Sequence, residues 1–171
     1  HSFPTRRSSD LYIKRLPADT YSAQKRGGRG IQGVTTKEDD FVEHIFITTT
    51  HNNILFFTNK GKSFKLKAYE IPEGGRTAKG TNLINIIPLA SDEKIQAVIC
   101  LKEFAQDNYL VMGTKNGLIK KTSLDKYSAI RKNGLNAINL REDDELIGAA
   151  ITNGNSEMLF VTRNGYSIRF S

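Results

Sequence analysis

One ten-residue pattern occurs three times in this chain, and this repetition limits the fold more than any other feature. The copies are FTNKGKSFKL at 57–66, GTKNGLIKKT at 113–122 and VTRNGYSIRF at 161–170. In each copy a threonine is followed by two polar residues and a glycine, and then by a stretch of apolar and basic residues. A Lys-Gly or Asn-Gly pair between two β-prone runs predicts a hairpin. The segment YIKRL at 12–16 matches the second strand of a fourth, truncated copy.

Other features recur with the same period. Asp40, Asp92 and Asp144 are 52 residues apart, and each belongs to an acidic cluster just before an apolar run. The segments DTYSAQKRGG at 19–28 and DKYSAIRKNG at 125–134 match at an offset of 106 residues, about two periods. The repeat unit is therefore about 50 residues long.

Four short strands are predicted within one unit. For residues 42–89 they are VEHIFITTT, NILFFT, KSFKLKA and TNLINIIPL, separated by polar and glycine-rich segments. No segment keeps a helical period for ten residues. The pattern predicts an all-β, propeller-like fold of repeated four-stranded blades, of which this chain contains about three.

The first ten residues, HSFPTRRSSD, fit no part of the repeat and resemble a translated sequencing-adapter artefact. We expect residues 1–10 to be non-native and residues 11–171 to form one partial domain. Without the first ten residues the net charge falls from +7 to +6, so the chain stays basic and an anionic partner is favoured. A single cysteine, Cys100, and the lack of any apolar run near the roughly 18 residues of a membrane span favour a cytoplasmic protein.

Several motifs resemble catalytic or ligand sites but lack the necessary context. GRGIQG at 28–33 has the glycine spacing of a dinucleotide fingerprint, but neither the preceding strand nor the following helix is predicted. His44 and His51 have no neighbouring cysteine or paired histidine, so surface positions are favoured over a metal site. We expect no catalytic residue, no metal site and no cofactor in this chain.

Basic residues recur at fixed places in the repeat. The fourth residue after each hairpin glycine is Lys65, Lys121 or Arg169, and Arg15 has the same place in the truncated copy. Alternate residues of a strand face the same side, so these cations, here called the slot-four cations, are predicted to form a belt across the blades. Lys14 and Lys120 precede two of them, and basic pairs recur in the later loop of each unit. A belt of this kind favours binding to an anionic polymer, whereas a lone lysine would be read as an ordinary solvated residue.

The segment QKRGGRG at 24–30 combines three cations with three glycines. Glycine lets the backbone approach a ligand closely, and its N–H groups can donate to phosphate oxygens. Arginine adds a planar set of donors suited to phosphate. The segment therefore predicts a loop that holds a nucleic-acid backbone without reading bases. The complete predicted DNA-binding set is Gln24, Lys25, Arg26, Gly27, Gly28, Arg29, Gly30, Lys14, Arg15, Lys65, Arg76, Lys79, Lys120, Lys121, Arg131, Lys132 and Arg169.

QKRGGRG also resembles the seven-residue box, Q-[RK]-R-G-G-[RK]-G, of the C-terminal domain of the bacterial DNA gyrase A subunit, and the resemblance extends over residues 12–171. It implies that residues 11–171 are part of a β-pinwheel, with about three of the six blades of a complete domain. It further implies that double-stranded DNA wraps around the rim of the domain, independently of sequence, and that residues 24–30 are essential for wrapping.

The resemblance implies the rest of the assembly as well. The parent enzyme would be an ATP-dependent type IIA topoisomerase that introduces negative supercoils as an A2B2 complex, with no membrane partner. The breaking of DNA strands, the binding of ATP and Mg²⁺, and the contacts with the gyrase B subunit or with the second A subunit would lie in regions outside this chain, in a cytoplasmic, nucleoid-associated complex. Two alternatives stay open: the related domain of the topoisomerase IV A subunit, which lacks an intact box, and a propeller that binds proteins.

Overall fold

The computed structural model describes residues 11–18 and 43–170, and these residues form β-strands and three short 3₁₀ turns without an α-helix. The strands are β1 (Tyr12–Ile13), β2 (Asn53–Thr58), β3 (Lys62–Lys67), β4 (Thr81–Asn82), β5 (Ile95–Leu101), β6 (Tyr109–Thr114), β7 (Ile119–Ser123), β8 (Leu135–Asn136), β9 (Leu146–Thr152), β10 (Met158–Val161) and β11 (Ser167–Phe170). The 3₁₀ turns are Ala68–Glu70, Leu83–Asn85 and Leu124–Tyr127. The all-β prediction is confirmed.

The three repeated sequence patterns form three antiparallel hairpins, β2–β3, β6–β7 and β10–β11. In the first two units the second strand after the hairpin returns to pair with the first strand of that hairpin, so β5 pairs with β2 and β9 pairs with β6. The resulting sheets have the strand orders β5-β2-β3-β8 and β7-β6-β9. We call them the central blade and the second blade.

Neighbouring units exchange strands. β8 lies in the chain after the β6–β7 hairpin, yet it pairs with β3 of the central blade, through Lys62 opposite Asn136 and Ser63 opposite Leu135. One unit earlier, β4 lies after the β2–β3 hairpin and pairs with β1. The outer strand of a blade is therefore supplied by the following unit, which is the β-pinwheel arrangement that the family resemblance implied.

The central blade is covered on both faces. Ile54, Phe56 and Phe64 pack in a core with Leu83 and Ile87, which lie in the loop connection after β4. The alternate residues Leu55 and Phe57 face a second core that contains residues of β6 and β9. Since successive side chains of a strand point to opposite faces, the continuous apolar run of β2 fits a blade with a neighbour on each side.

The β10–β11 hairpin is covered much less. Phe160 packs over β6, where two of its ring carbons lie 2.7 Å from the point that a Cβ on Gly113 would occupy. The neighbouring apolar residues are largely exposed, with 63% of Leu159, 66% of Val161 and 64% of Ile168 accessible. Within residues 43–170 no further strand pairs with this hairpin, and two strands alone bury little surface.

Two strand predictions are wrong. Residues 43–50, most of the predicted VEHIFITTT strand, form no strand, and 92% of Ile47 is exposed. The corresponding strands β5 and β9 pair with the first strand of the preceding hairpin; for 43–50 that partner would precede β1, outside the described residues. The predicted strand TNLINIIPL ends already at Asn82, because its side-chain oxygen accepts a hydrogen bond from the N–H of Ile84 (3.3 Å) and starts a 3₁₀ turn.

Candidate nucleic-acid interface

The three hairpin turns have the same geometry, which explains the repeated Thr-x-x-Gly pattern. In each, the glycine N–H donates to the threonine carbonyl at 3.0 Å, and the threonine hydroxyl accepts the N–H four residues later. The glycines have positive φ angles, which other residues adopt only with strain. The threonines are Thr58, Thr114 and Thr162, and the glycines are Gly61 (80°), Gly117 (85°) and Gly165 (82°).

The slot-four cations of these hairpins occupy equivalent positions in the strands. The residues opposite them are Leu55 for Lys65, Val111 for Lys121 and Leu159 for Arg169, at the same distance from each turn. Arg15 differs, because it follows β1 and forms an isolated parallel bridge with Glu73. The repeat therefore places three cations in one register, and the fourth lies just beyond a shorter strand.

Two slot-four cations contact the following unit. The Nε of Arg15 donates to the carbonyl oxygen of Ile71 at 3.2 Å, and its guanidinium lies 3.5 Å from the carboxylate of Glu73. The ammonium of Lys65 donates to the carbonyl oxygen of Ser128. Ile71 and Ser128 have the same structural role, because each ends the 3₁₀ turn that follows the second hairpin strand of its unit.

The other two slot-four cations contact groups in their own units. The Lys121 ammonium lies 4.9 Å from the centre of the Tyr109 ring. Arg169 lies 3.6 Å from the carboxylate of Glu157, and both of these side chains are mostly exposed. A surface ion pair of this kind is weak and leaves the guanidinium accessible to a phosphate.

Lys14 and Lys120 also donate to backbone carbonyls. Lys14 Nζ donates to three of them, the carbonyls of Gly75 (2.9 Å), Arg76 (2.8 Å) and Ala78 (2.8 Å). An ammonium group has three N–H donors, so in this arrangement all of those of Lys14 are used. Lys120 makes one such bond, to the carbonyl of Ala137 at 2.7 Å.

The remaining predicted cations within residues 43–170 lie on two equivalent loops, 74–80 and 129–134, which we call the basic loops. Each precedes the strand that joins the previous blade, and each ends in a glycine with positive φ, Gly80 (90°) and Gly134 (86°). Lys79, Arg131 and Lys132 are exposed and Arg76 is half-buried. The Lys79 ammonium lies 3.9 Å from the centre of the Tyr12 ring.

The predicted box, Gln24 to Gly30, and the fingerprint-like segment 28–33 lie outside the described residues. The sequence match between 19–28 and 125–134 aligns the box with the basic loop 129–134 of a later unit. That loop is therefore the described counterpart of the box.

The repeated acidic residues have structural contacts. The spacing of 52 residues matches Asp92 with Asp144, but these two side chains do not occupy equivalent positions. Thr58 donates to Glu93 at 3.4 Å, and the corresponding Thr114 interacts with Asp144, so the equivalent acids are Glu93 and Asp144. Burial works to raise the pKa of Asp144, but the neighbouring Thr114 hydroxyl and hydrogen bonds from the backbone N–H groups of Asn116 and Glu145 outweigh it and lower the pKa. Asp92 instead forms a surface ion pair with Lys60 at 3.1 Å, and this contact lowers the Asp92 pKa.

Sequence reasoning missed the aromatic partners of the cations. Tyr12, Phe104 and Tyr109 lie beneath Lys79, Lys65 and Lys121, at 3.9 to 5.5 Å from the ammonium to the ring centre. Such contacts stabilise a cation and fix the direction of its side chain. Of these three contacts, only that of Lys121 with Tyr109 lies within one hairpin. A search for aromatic residues across paired strands would therefore have found this contact and not the other two.

Metal sites and membrane-spanning helices are not found in residues 11–18 and 43–170. No group of three potential metal ligands is found there, and none of the helical segments is long and apolar enough to cross a bilayer. His44 and His51 are both exposed, and the His51 ring contacts Tyr69 edge to face, at 5.9 Å between centres.

Comparison with known proteins identifies the family. The family model described as "DNA gyrase C-terminal domain, beta-propeller" matches residues 12–49, 52–102, 108–153 and 156–171. The chain is 64% identical to the DNA gyrase A subunit of Clostridium acetobutylicum over 94% of its own length, and 57% identical to that of Halalkalibacterium halodurans over 93%. It spans about a fifth (19%) of the length of these relatives.

Solved structures agree with this fold. The C-terminal domain of DNA topoisomerase IV superposes with a TM-score of 0.79 and 33% identity, over 94% of this chain and 49% of that one. A DNA gyrase A C-terminal domain superposes with a TM-score of 0.63 and 24% identity, over 91% of this chain and 50% of that one, and supports the fold alone. Together with the sequence matches, these likenesses show that the chain belongs to the DNA gyrase C-terminal domain family, the β-propeller domain of the DNA gyrase A subunit.

Proposed function

We propose that this chain is a DNA-wrapping module, which bends duplex DNA around its basic rim so that a type IIA topoisomerase can introduce negative supercoils. The observation that carries the proposal is the recurrence of accessible cations at equivalent points of consecutive units. The basic loops 74–80 and 129–134 repeat the position that the box has in the sequence. Exposed Lys79, Arg131 and Lys132 lie on these loops.

Repetition matters because bending is costly. A smooth bend of 40–90° in a site of 20–30 base pairs costs on the order of 1–6 kcal/mol. A single loop provides only a few phosphate contacts, whereas loops at the same place in successive blades follow a curved path and add their contacts along the DNA. Because such contacts are made to phosphates, binding is independent of base sequence.

In this proposal the chemistry lies elsewhere. Strand passage, ATP hydrolysis and Mg²⁺ binding belong to other parts of an A2B2 complex, and this chain contributes the wrap. The partner is double-stranded DNA in the bacterial cytoplasm, at the nucleoid.

Filter binding of the chain to mixed-sequence duplex DNA tests the proposal. The logarithm of the association constant should fall linearly with the logarithm of salt concentration, with a slope of about −0.9 per neutralised phosphate. Replacing Arg131 and Lys132 by Gln should make that slope shallower by about 0.9 for each phosphate that is no longer neutralised. Exposed Lys126 on the preceding 3₁₀ turn serves as the matched control. DNA binding that does not depend on salt concentration, or an equal loss of affinity when Lys126 is replaced, would contradict the proposal and favour a protein-binding propeller.

The box tests the role in supercoiling. In the reconstituted enzyme, replacing Lys25, Arg26 and Arg29 by Ala should abolish negative supercoiling and leave ATP-dependent relaxation. The structural likeness to the topoisomerase IV domain keeps that protein as the second candidate. Supercoiling at the full rate without these cations would exclude the role proposed for the box.

A further inference from the structure

Lys14 contacts the backbone of the basic loop 74–80, which carries two predicted DNA ligands, Arg76 and Lys79. Its ammonium lies within 2.9 Å of three carbonyl oxygens of the basic loop 74–80, those of Gly75, Arg76 and Ala78. Lys14 precedes this loop by about 60 residues and follows a strand of the previous blade. A residue of one unit therefore holds the loop of the next.

The loop is fitted closely around this lysine. A Cβ on Gly80 would lie 2.6 Å from the carbonyl oxygen of Ile13 and 3.1 Å from the Cβ of Lys14, and a Cβ on Gly74 would lie 3.4 Å from that same atom. Lys79, next to Gly80, lies with its ammonium over the ring of Tyr12. The backbone of the loop thus depends on Lys14 for its shape, while Lys79 remains exposed.

At the next junction between units a lysine also contacts the backbone beside the basic loop, in the way that Arg15 contacts Ile71 at the first junction. Lys65 of the central blade donates to the carbonyl of Ser128, just before the basic loop 129–134. The ring of Phe64 lies 2.7 Å from where a Cβ on Gly134 would be, so Phe64 packs against this loop glycine as Ile13 and Lys14 pack against Gly80. At both junctions a cation of the preceding unit, Lys14 just after β1 and Lys65 in β3, holds backbone in or next to the following basic loop.

We propose that Lys14 and Lys65 are positioning residues for DNA wrapping and do not themselves bind a phosphate. Lys14 fixes the basic loop of the following unit through three of its carbonyls, and Lys65 fixes the start of the next basic loop through the carbonyl of Ser128. This inference rests on the proposed function, since it assigns DNA contacts to the loops. The physical reason is that three carbonyls saturate the donors of Lys14, so binding a phosphate would break bonds that shape the loop.

Hydrogen exchange of the free chain tests the positioning without DNA. Lys14→Met retains much of the aliphatic stem and removes the ammonium, so the amides of 74–80 should exchange about ten-fold faster or more. Lys14→Arg retains the charge, but a planar guanidinium cannot direct three donors to carbonyls that surround one nitrogen, so exchange should also rise. Lys62→Met, on exposed Lys62 in β3, is the matched control and should leave the loop within about two-fold of the original rate.

Binding to a mixed-sequence DNA duplex separates positioning from direct contact. If Lys14 acts through the loop, Lys14→Met should weaken binding about as much as the double replacement Arg76→Gln and Lys79→Gln. Combining all three should then weaken binding by no more than about two-fold beyond the stronger of the two effects. The salt slope of Lys14→Met should differ from that of the original chain by more than about 0.9, the contribution of a single phosphate.

Three outcomes would overturn the inference. The first is unchanged hydrogen exchange of 74–80 in Lys14→Met, and the second is that the losses of DNA affinity from Lys14→Met and from the loop replacements multiply when combined. The third is that Lys14→Arg exchanges over 74–80 at the original rate. If Lys14→Met gives no cooperative unfolding transition, Lys65→Met with exchange measured over 129–134 is the second test, and unchanged exchange there overturns the inference equally. If the loop replacements leave DNA binding unchanged while Lys14→Met loosens the loop, the proposed function fails and the positioning contact stands.

Discussion

The β2–β3 and β10–β11 hairpins have the same turn and the same strand register, yet their burial is opposite. Every residue of β2 is buried, and Leu55 has no accessible surface. Leu159 occupies the equivalent place in β10, opposite the slot-four cation, and 63% of it is exposed. The turn depends on a threonine and a glycine within the hairpin, whereas the burial depends on blades on either side.

The largest expected effect comes from truncating the two equivalent leucines. Leu55→Ala should lower the free energy of unfolding by about 2–5 kcal/mol, because it leaves a cavity in a covered strand. Leu159→Ala should change it by about 0.5 kcal/mol or less, because most of the side chain is already in water. Urea unfolding of both variants measures the difference. Equal losses would mean that the two hairpins are covered alike.

A smaller difference is expected at the turn glycines. A Cβ on Gly165 meets no atom within 4 Å, so Gly165→Ala should cost only the strain of a positive φ, about 1–2 kcal/mol. A Cβ on Gly61 would lie 2.6 Å from the carbonyl oxygen of Ile138, in the following unit, so Gly61→Ala should cost about 1–3 kcal/mol more. Thermal unfolding of the two variants checks this order, and the reverse order would refute it.

The smallest expected effect concerns the buried acid of the second blade. The pKa of Asp144 is lowered in the folded state from its usual 3.8, so its carboxylate stabilises the fold above about pH 4 and this contribution is lost as the pH falls through the lowered value. Asp144→Asn should therefore be less stable than the original chain at pH 7, and the difference should shrink in acid. Unfolding measured between pH 7 and pH 3 tests this. A difference that is constant with pH would show that the charge has no part in it.

The same contrast explains what the sequence could predict. The hairpins were predictable because Thr58, Gly61 and their repeats act within a few residues of each other. The strand at 43–50 was predicted wrongly because a strand also needs a partner, and the partner is not part of the local pattern. The contacts of the turn threonines, and not the spacing, were required to recognise that Glu93 and Asp144 are the equivalent acids.

The candidate interface was predictable in part for a related reason. Spacing from the glycines placed Lys65, Lys121 and Arg169 in one register, as the strand pairing confirms. The same spacing could not show that Lys14 and Lys65 contact carbonyls of the next unit, because those contacts join residues about 60 positions apart. The DNA-binding role of the whole set remains a prediction.

The exchange of β8 onto β3 has a consequence for how such a chain can gain or lose length. Because the last strand of one blade is encoded inside the following repeat, a cut at a blade boundary always leaves one sheet short of a strand. Duplication or deletion keeps all blades whole only when both breakpoints fall at the same phase of the 50-residue period. The number of blades can therefore vary in whole repeats, and each added repeat pairs one of its strands with the preceding blade.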